Sequence, residues 1–131
     1  MVDVVGGGVL ERFPGLIVAF LEGNCSWAPW LLWRLDDHYE MSAAYDHPDL
    51  KMEPSEYFER QCYLSAECDE EPAEIVSEYG LEGNIVFSTD YPHADSKYSG
   101  SVDRFLQMPL SDQVRRKSIW DNCARLFGFE D

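Results

Sequence analysis

The sequence predicts an α/β fold built on a parallel sheet. Along its 131 residues, three apolar runs that suit strands alternate with segments of helical periodicity. Alternation of strands and helices implies a parallel sheet with right-handed crossovers. None of the three runs alternates cleanly between apolar and polar residues, which disfavours a half-exposed antiparallel sheet. A chain of this length is expected to form a single domain, residues 1–131.

The amino-terminal part of the chain predicts a helix, a strand and a second helix. Residues 1–13 are expected to be helical towards their end, where Pro14 stops the helix. The first strand is residues 16–21, LIVAFL, a continuously apolar run that suits burial on both faces. A helix follows at residues 26–39, with Ser26 as a plausible N-cap and apolar side chains at a three-to-four spacing.

The middle of the chain begins with a predicted long loop at residues 41–53. Proline at position 54 can open a short helix over residues 54–60. The second strand, residues 61–66 with the sequence QCYLSA, is a weaker prediction than the first. Proline at position 72 can open another helix, over residues 72–79.

The last part of the chain supplies the third strand, residues 84–88, with the sequence NIVFS. Serine and glycine also fit helix termini at four positions. N-caps are predicted at Ser101 and Ser111, and C-caps at Gly80 and Gly128. Three strands are few for a stable parallel sheet, and the outer two would present unpaired edges. The sequence therefore suggests part of a larger structure.

The charge of the chain excludes some classes of partner. Its 25 acidic residues against 10 basic ones give a net charge of −15. Such a field repels nucleic acids and anionic membranes, which need lysine and arginine to neutralise their phosphates. No apolar run approaches the ~20 residues that span a bilayer, and the first ten residues lack the features of a signal peptide. We therefore expect neither a nucleic-acid nor a membrane partner.

The cysteines argue for a reducing compartment. They are Cys25, Cys62, Cys68 and Cys123. None forms a C-x-x-C pair, so a thiolate zinc site has no support in the sequence. Cys62 and Cys123 lie in apolar patterns and are predicted to be small core residues. Without an export signal, a cytoplasmic location is the simplest expectation.

Polar residues follow each predicted strand. Glu22 comes after the first strand, Glu67 after the second and Asp90 after the third. Ligands of parallel α/β folds bind at the carboxyl ends of strands, so Glu22 and Asp90 are candidates for acid–base work or metal binding. An acidic residue after a strand is also often a helix cap or turn residue. That alternative is the simpler one for Glu22, and both remain open for Asp90.

Other candidates have plain structural interpretations. His38 lies on an apolar helix face and suits a core or interface position, while His47 and His93 lie in loops. The tryptophans at positions 27, 30 and 33 are more simply packing residues than a stacking platform. The acidic run at residues 67–71 suits a solvated loop, and its spacing does not match an EF-hand.

Five segments together resemble the carboxyl-terminal part of amidohydrolase-related proteins, in the branch that includes aminocarboxymuconate-semialdehyde decarboxylase. They are GGVLERFPGLIVAFLEGN, WLLWRLDDHYE, EPSEYFERQCYLSA, NIVFSTDYPHAD and DNCARLFGF. Each motif is loose alone, but five in the right order are specific and cover about residues 7–129. The resemblance implies a partial (β/α)₈ TIM-barrel-like fold, roughly the last three βα units with parallel strands.

The resemblance also implies roles for individual residues. Asp90 matches the family's aspartate at the end of the last strand, which in metal-dependent members ligates or faces a divalent metal, often zinc. Glu22 falls where decarboxylases of the family carry a catalytic histidine and other members carry glutamate, which leaves the reaction type open. His93 belongs to a Tyr-Pro-His motif that shapes the pocket, and we predict substrate contacts for His93, Tyr91 and Trp27.

The family's remaining metal ligands have no counterpart in this chain. Its His-x-His on the first strand and its histidine on the fifth would lie upstream of Met1, and a full barrel needs ~250 residues. The chain alone is therefore expected to lack tight metal binding, and to form a homo-oligomer or join a complementing amino-terminal barrel half. The leading hypothesis is metal-dependent hydrolysis or decarboxylation of a small carboxylate or cyclic substrate. The alternative is a catalytically inactive barrel fragment that acts as a structural or interaction module.

Overall fold

The computed structural model describes residues 1–46, 49–71 and 73–129. Within these residues the chain forms a three-stranded sheet in the order β1-β2-β3, and both strand pairs are parallel. The strands are Val18–Phe20 (β1), Cys62–Ala66 (β2) and Ile85–Phe87 (β3). The predicted α/β class and the parallel strands are confirmed.

Helices connect the strands and follow the last of them. The α-helices are Val2–Val5 (α1), Val9–Arg12 (α2), Ala28–Asp46 (α3), Pro54–Gln61 (α4), Ala73–Val76 (α5), Ser101–Gln107 (α6), Asp112–Arg116 (α7) and Asn122–Phe127 (α8). Wider π-helical turns continue α5 and α7, at Ser77–Leu81 and Lys117–Asp121. Among the described residues, none of the helices combines the length and the apolar character that crossing a membrane requires.

The core lies between the central strand and the helices. All five residues of β2 are buried. On the helix-covered side, Phe20 stacks on Phe58 with ring centroids 6.3 Å apart, and Phe87 packs on Phe105 at 4.6 Å. Because β1 pairs with β2 in register and β2 with β3, the three carboxyl ends meet at one edge of the sheet.

The predicted first strand is longer than the observed one. Only Val18–Phe20 pair with a neighbour, and all three are half-buried. Leu16, Ile17 and Leu21 on either side are exposed. The predicted burial on both faces is wrong, because β1 is an edge strand with a described neighbour on one side only.

The helix after β1 starts later and ends later than predicted. It begins at Ala28, and Ser26 is not its cap because its hydroxyl donates to the Glu70 carboxylate instead. It continues to Asp46 through helix-favouring residues, so the loop predicted at 41–53 is wrong for residues 41–46. The loop residues His47 and Pro48 lie outside the described residues.

The other predicted helix ends have mixed outcomes. Ser111 caps α7 by accepting a hydrogen bond from the Val114 backbone N–H at 3.2 Å, and Gly128 ends α8 with φ 70°. Gly80 adopts φ 98° at the end of the turn after α5. Ser101 is the first residue of α6 rather than its cap, which is Gly100. Pro72, at which the helix predicted over residues 72–79 begins, lies outside the described residues.

Several packing predictions are also corrected. Trp30 and Trp33 are 65% and 54% exposed, so they are not core residues of this chain. His38 is only partly buried; its ring nitrogen Nε2 lies 3.2 Å from the Ser42 hydroxyl and 3.6 Å from the Asp46 carboxylate. Cys123 is half-buried rather than fully buried.

Candidate active site

Two of the predicted site residues occupy unusual backbone conformations in the loops that follow their strands. Glu22 follows β1 with φ 63°, and Asp90 follows β3 with φ 55°. Left-handed φ values are uncommon outside glycine and persist only where the surrounding structure holds them. Such residues concentrate at functional sites, so backbone geometry alone makes both positions candidates for a functional role.

The structure brings Glu22, Asp90 and His93 into one cluster. The His93 Nδ1 atom lies 2.7 Å from Asp90 Oδ1 and 3.7 Å from Glu22 Oε2. One ligand atom from each residue lies within 4.8 Å of the other two. The cluster sits where the loops after β1 and β3 meet, as the strand-end argument predicted.

The turn after β3 orients the Asp90 carboxylate. The backbone N–H of His93 donates to the Asp90 carbonyl at 2.9 Å, and the Asp90 N–H donates to the Ser88 hydroxyl at 3.1 Å. The Ser96 hydroxyl donates to the Thr89 carbonyl at 2.7 Å, which closes the loop. The next helix, α6, starts only at Ser101, which is too far along the chain for Asp90 to cap it. Asp90 is therefore a turn residue whose side chain belongs to the cluster.

Electrostatics at the cluster favour a protonated imidazole. The hydrogen bond to Asp90, the charge of Asp90 and the charge of Glu22 together raise the pKa of His93 above its ordinary value. Burial raises the pKa of Glu67, and the negative charge of Asp90 adds to this effect. Glu22, Glu67 and Asp90 place one carboxylate after each of the three strands. Their combined negative charge attracts cations to the cluster.

Exposure differs among the three members. The side chain of Asp90 is 19% exposed, whereas those of His93 and Glu22 are 56% and 70% exposed. Asp90 is thus the anchored member, and Glu22 approaches it from a more open loop. Water or a ligand can reach the cluster from the side of His93 and Glu22.

Two predicted substrate-binding residues lie outside the cluster. Tyr91 is 66% exposed, and its ring packs against Tyr98 with centroids 4.6 Å apart. The Trp27 indole N–H donates to the Gly23 carbonyl at 2.7 Å, so it closes the loop that carries Glu22. Their predicted substrate contacts stay predictions.

Glu70 is a residue whose role the sequence did not reveal. It was expected in a solvated loop, but it is only 7% exposed. Its carboxylate accepts hydrogen bonds from the backbone N–H groups of Cys25 and Ser26 at 2.9 and 2.7 Å, and one from the Ser26 hydroxyl. The partners lie more than 40 residues away in sequence, so no local pattern signals them.

The donor set of the cluster fits a divalent cation. Glu22 and Asp90 offer carboxylate oxygens, and His93 offers an imidazole nitrogen once a metal displaces the proton that the two carboxylates favour in the metal-free chain. Mixed oxygen and nitrogen ligands suit manganese and zinc, and three protein ligands leave positions open for water or substrate. Calcium fits less well because it prefers six to eight oxygen ligands.

A family model describing amidohydrolases matches residues 1–129. The chain belongs to the amidohydrolase family. The resemblance seen in the five sequence segments is thereby confirmed. No curated protein sequence matches this amidohydrolase chain.

Solved structures of similar fold include decarboxylases. The 5-carboxyvanillate decarboxylase of Sphingomonas paucimobilis is 26% identical, with a TM-score of 0.79 over 97% of this chain. A dihydroxybenzoic acid decarboxylase of Polaromonas sp. JS666, solved with manganese and the inhibitor 2-nitroresorcinol, is 21% identical, with a TM-score of 0.75 over 95% of this chain. An amidohydrolase of Mycobacterium avium subsp. paratuberculosis is 21% identical over 97% of this chain, with a TM-score of 0.74.

This amidohydrolase chain spans only part of those proteins. It covers 38% of the Sphingomonas decarboxylase, 37% of the Polaromonas decarboxylase and 32% of the Mycobacterium amidohydrolase. The three-stranded parallel sheet is accordingly a partial barrel, which confirms the predicted fold class.

Proposed function

We propose that this chain supplies the carboxyl-terminal strands and part of the metal site of a metal-dependent decarboxylase or hydrolase. The substrate would be a small carboxylate or cyclic compound. The observation that carries the proposal is the cluster of Glu22, Asp90 and His93 at the carboxyl ends of the strands. The similarity to the Sphingomonas decarboxylase supports decarboxylation over hydrolysis.

Each residue of the cluster has a distinct part in this proposal. Asp90, the most buried of the three, would hold the metal; it would accept a proton from water in a hydrolysis, or deliver a proton to the carbon that loses CO₂ in a decarboxylation. His93 contacts Asp90 through Nδ1 at 2.7 Å, which orients the carboxylate. Glu22 adds a second carboxylate to the pocket. A bound divalent metal would supply Lewis acidity at this point.

The metal is proposed to be manganese or zinc. Manganese occurs in the Polaromonas decarboxylase, and the ligand types of the cluster accommodate either ion. The cytoplasm remains the proposed compartment, since all four cysteines, each within the described ranges, are free thiols.

Manganese titration of the 131-residue chain tests the proposed site. We expect weak binding that Asp90→Asn abolishes and that His93→Gln or Glu22→Gln weakens. Glu71→Gln is the matched control, because it removes one negative charge from an exposed loop residue. Equal manganese affinity in the wild type, Asp90→Asn and Glu71→Gln would show only diffuse attraction to the −15 chain and contradict the site.

The isolated chain is expected to lack catalytic turnover and tight zinc binding. Catalytic zinc sites commonly use three protein ligands rich in histidine, and this cluster contains one histidine. Zinc should therefore be lost on dialysis. Stoichiometric zinc that survives dialysis, and that Glu22→Ala removes, would contradict this expectation.

An inactive structural module is the second candidate function. The exposed apolar residues that flank β1 favour it, since such surface drives association. The manganese titration separates the two candidates. A metal site that depends on Asp90 favours the enzyme, and its absence favours the module.

A further inference from the structure

Glu70 is a buried carboxylate that lies outside the Glu22–Asp90–His93 cluster. It follows β2, in the loop before α5, and only 7% of the residue is exposed. Its oxygen Oε1 accepts from the N–H groups of Cys25 and Ser26 at 2.9 and 2.7 Å and from the Ser26 hydroxyl. Its oxygen Oε2 accepts from the Cys25 thiol at 3.3 Å. A buried carboxylate is tolerated only when such donors replace its water.

Every one of these donors belongs to the loop that carries Glu22. Cys25 and Ser26 lie between Glu22 and the start of α3 at Ala28, so Glu70 also occupies the space in front of that helix. The 19-residue helix presents the positive end of its dipole there, which favours an anion. Glu70 therefore joins the loop after β2 to the loop after β1.

The loop that Glu70 holds has a strained backbone. Glu22 and Asn24 both have left-handed φ values, 63° and 57°, within three residues of chain. Conformations of this kind persist only when neighbouring contacts fix them. The fixing contacts are Glu70 at Cys25 and Ser26 and the Trp27 indole, which donates to the Gly23 carbonyl.

We propose that Glu70 is a positioning residue that fixes the Glu22 turn and so sets the third corner of the Glu22–Asp90–His93 cluster. It acts through Glu22 and does not touch the cluster itself. The proposal rests on the proposed function in so far as the cluster binds a metal. The placement of the Glu22 loop, however, can be measured without any metal.

The first experiment compares Glu70→Gln with Glu71→Gln in the metal-free chain by NMR. Glutamine keeps the shape of Glu70 but replaces one accepting oxygen with a donor. We expect Glu70→Gln to shift the Trp27 indole N–H and the His93 ring signals, and Glu71→Gln to leave both unchanged. Trp120 lies on the π-helical turn after α7 and serves as internal reference, because a global change would move its signal as well.

The second experiment measures manganese affinity in a double-mutant cycle. Residues that orient metal ligands typically change metal affinity by about 10–100-fold, so we expect a loss in that range for Glu70→Gln. If Glu70 acts through Glu22, the Glu22→Gln/Glu70→Gln variant binds manganese like Glu22→Gln alone. Additive losses would overturn the proposal, as would unchanged Trp27 and His93 signals in Glu70→Gln.

Two further outcomes remain decisive. If Glu70→Gln does not fold, Ser26→Ala removes one hydroxyl donor and is expected to shift the same two signals by less; no shift overturns the proposal. If the wild type binds no manganese, the proposed function fails, and the metal-free NMR comparison still decides the role of Glu70.

Discussion

The edge strand β1 lies in the more apolar of the two sequence runs, yet the central strand β2 is the more deeply buried. Every residue of β2 is buried, whereas β1 is half-buried and flanked by Leu16, Ile17 and Leu21, which are 39%, 48% and 58% exposed. The difference arises because β2 pairs with a strand on each side and β1 with β2 alone among the described residues. An apolar run thus predicts a strand, but its neighbours determine its burial.

The largest expected effect is a loss of stability on truncating the central strand. Leu64 is fully buried, so Leu64→Ala removes packed apolar volume and should lower the free energy of unfolding by about 2–5 kcal/mol. Leu16→Ala, at the start of the edge run, should cost less than about 1 kcal/mol. Chemical denaturation followed by circular dichroism measures both. Equal losses of unfolding free energy in the two variants would contradict the difference in burial between the two strands.

A second prediction concerns the side-chain amide of Asn84, which links the residue before β3 to the end of α4 and the start of β2. Asn84 is buried, and its Nδ2 donates to the carbonyls of Glu59 and Cys62 at 2.9 and 2.8 Å. Asn84→Ala leaves these carbonyls without that donor and should cost about 1–3 kcal/mol of unfolding free energy. Gln107→Ala, on an exposed amide, is the control in the same denaturation experiment. A cost no greater than the control would show that water replaces the amide.

The third prediction is that the edge strand drives association. Unpaired edges and exposed apolar residues favour pairing with another chain, so we expect a dimer or higher oligomer at micromolar concentration. Ile17→Lys should weaken it, because an edge lysine opposes strand pairing. Val102→Lys, on α6, is the matched control. Sedimentation velocity that finds a compact, stable wild-type monomer would contradict the prediction.

The smallest effect is a difference in thiol reactivity. Burial in β2 raises the pKa of Cys62 to about 12, and burial also raises the pKa of Cys123, which is less buried. A raised pKa leaves less thiolate at pH 8, so Cys123 should react with a thiol reagent before Cys62 does. Mass spectrometry of the partly labelled native chain gives the order, and both should label fast in guanidinium. Earlier labelling of Cys62 would mean that β2 opens readily.

The sequence predicted those parts of the fold that depend on local pattern. The centres of all three strands were correct because short apolar runs lie there, and the Ser111 cap was correct because its partner is three residues away. The extent of the first strand was wrong because pairing partners, absent from the pattern, set its ends. Ser26 was misassigned as a cap because its hydroxyl bonds to Glu70, 44 residues further along the chain.

The candidate site shows the same division. Glu22 and Asp90 could be named because they follow strands whose carboxyl ends meet, and His93 because its Tyr-Pro-His motif matches the family resemblance. Their catalytic and metal-binding roles stay predictions. Glu70 could not be named, since its importance lies in burial against a distant loop rather than in any local motif.

The Glu70 contact also bears on protein engineering. Barrel enzymes differ mainly in the loops at the carboxyl ends of their strands, which vary while the barrel stays the same. Here the loop after β1 obtains its shape from a carboxylate in the loop after β2. A designer who moves the Glu22 loop to another scaffold must therefore move the Glu70 loop with it. The two loops form one unit for transfer between scaffolds.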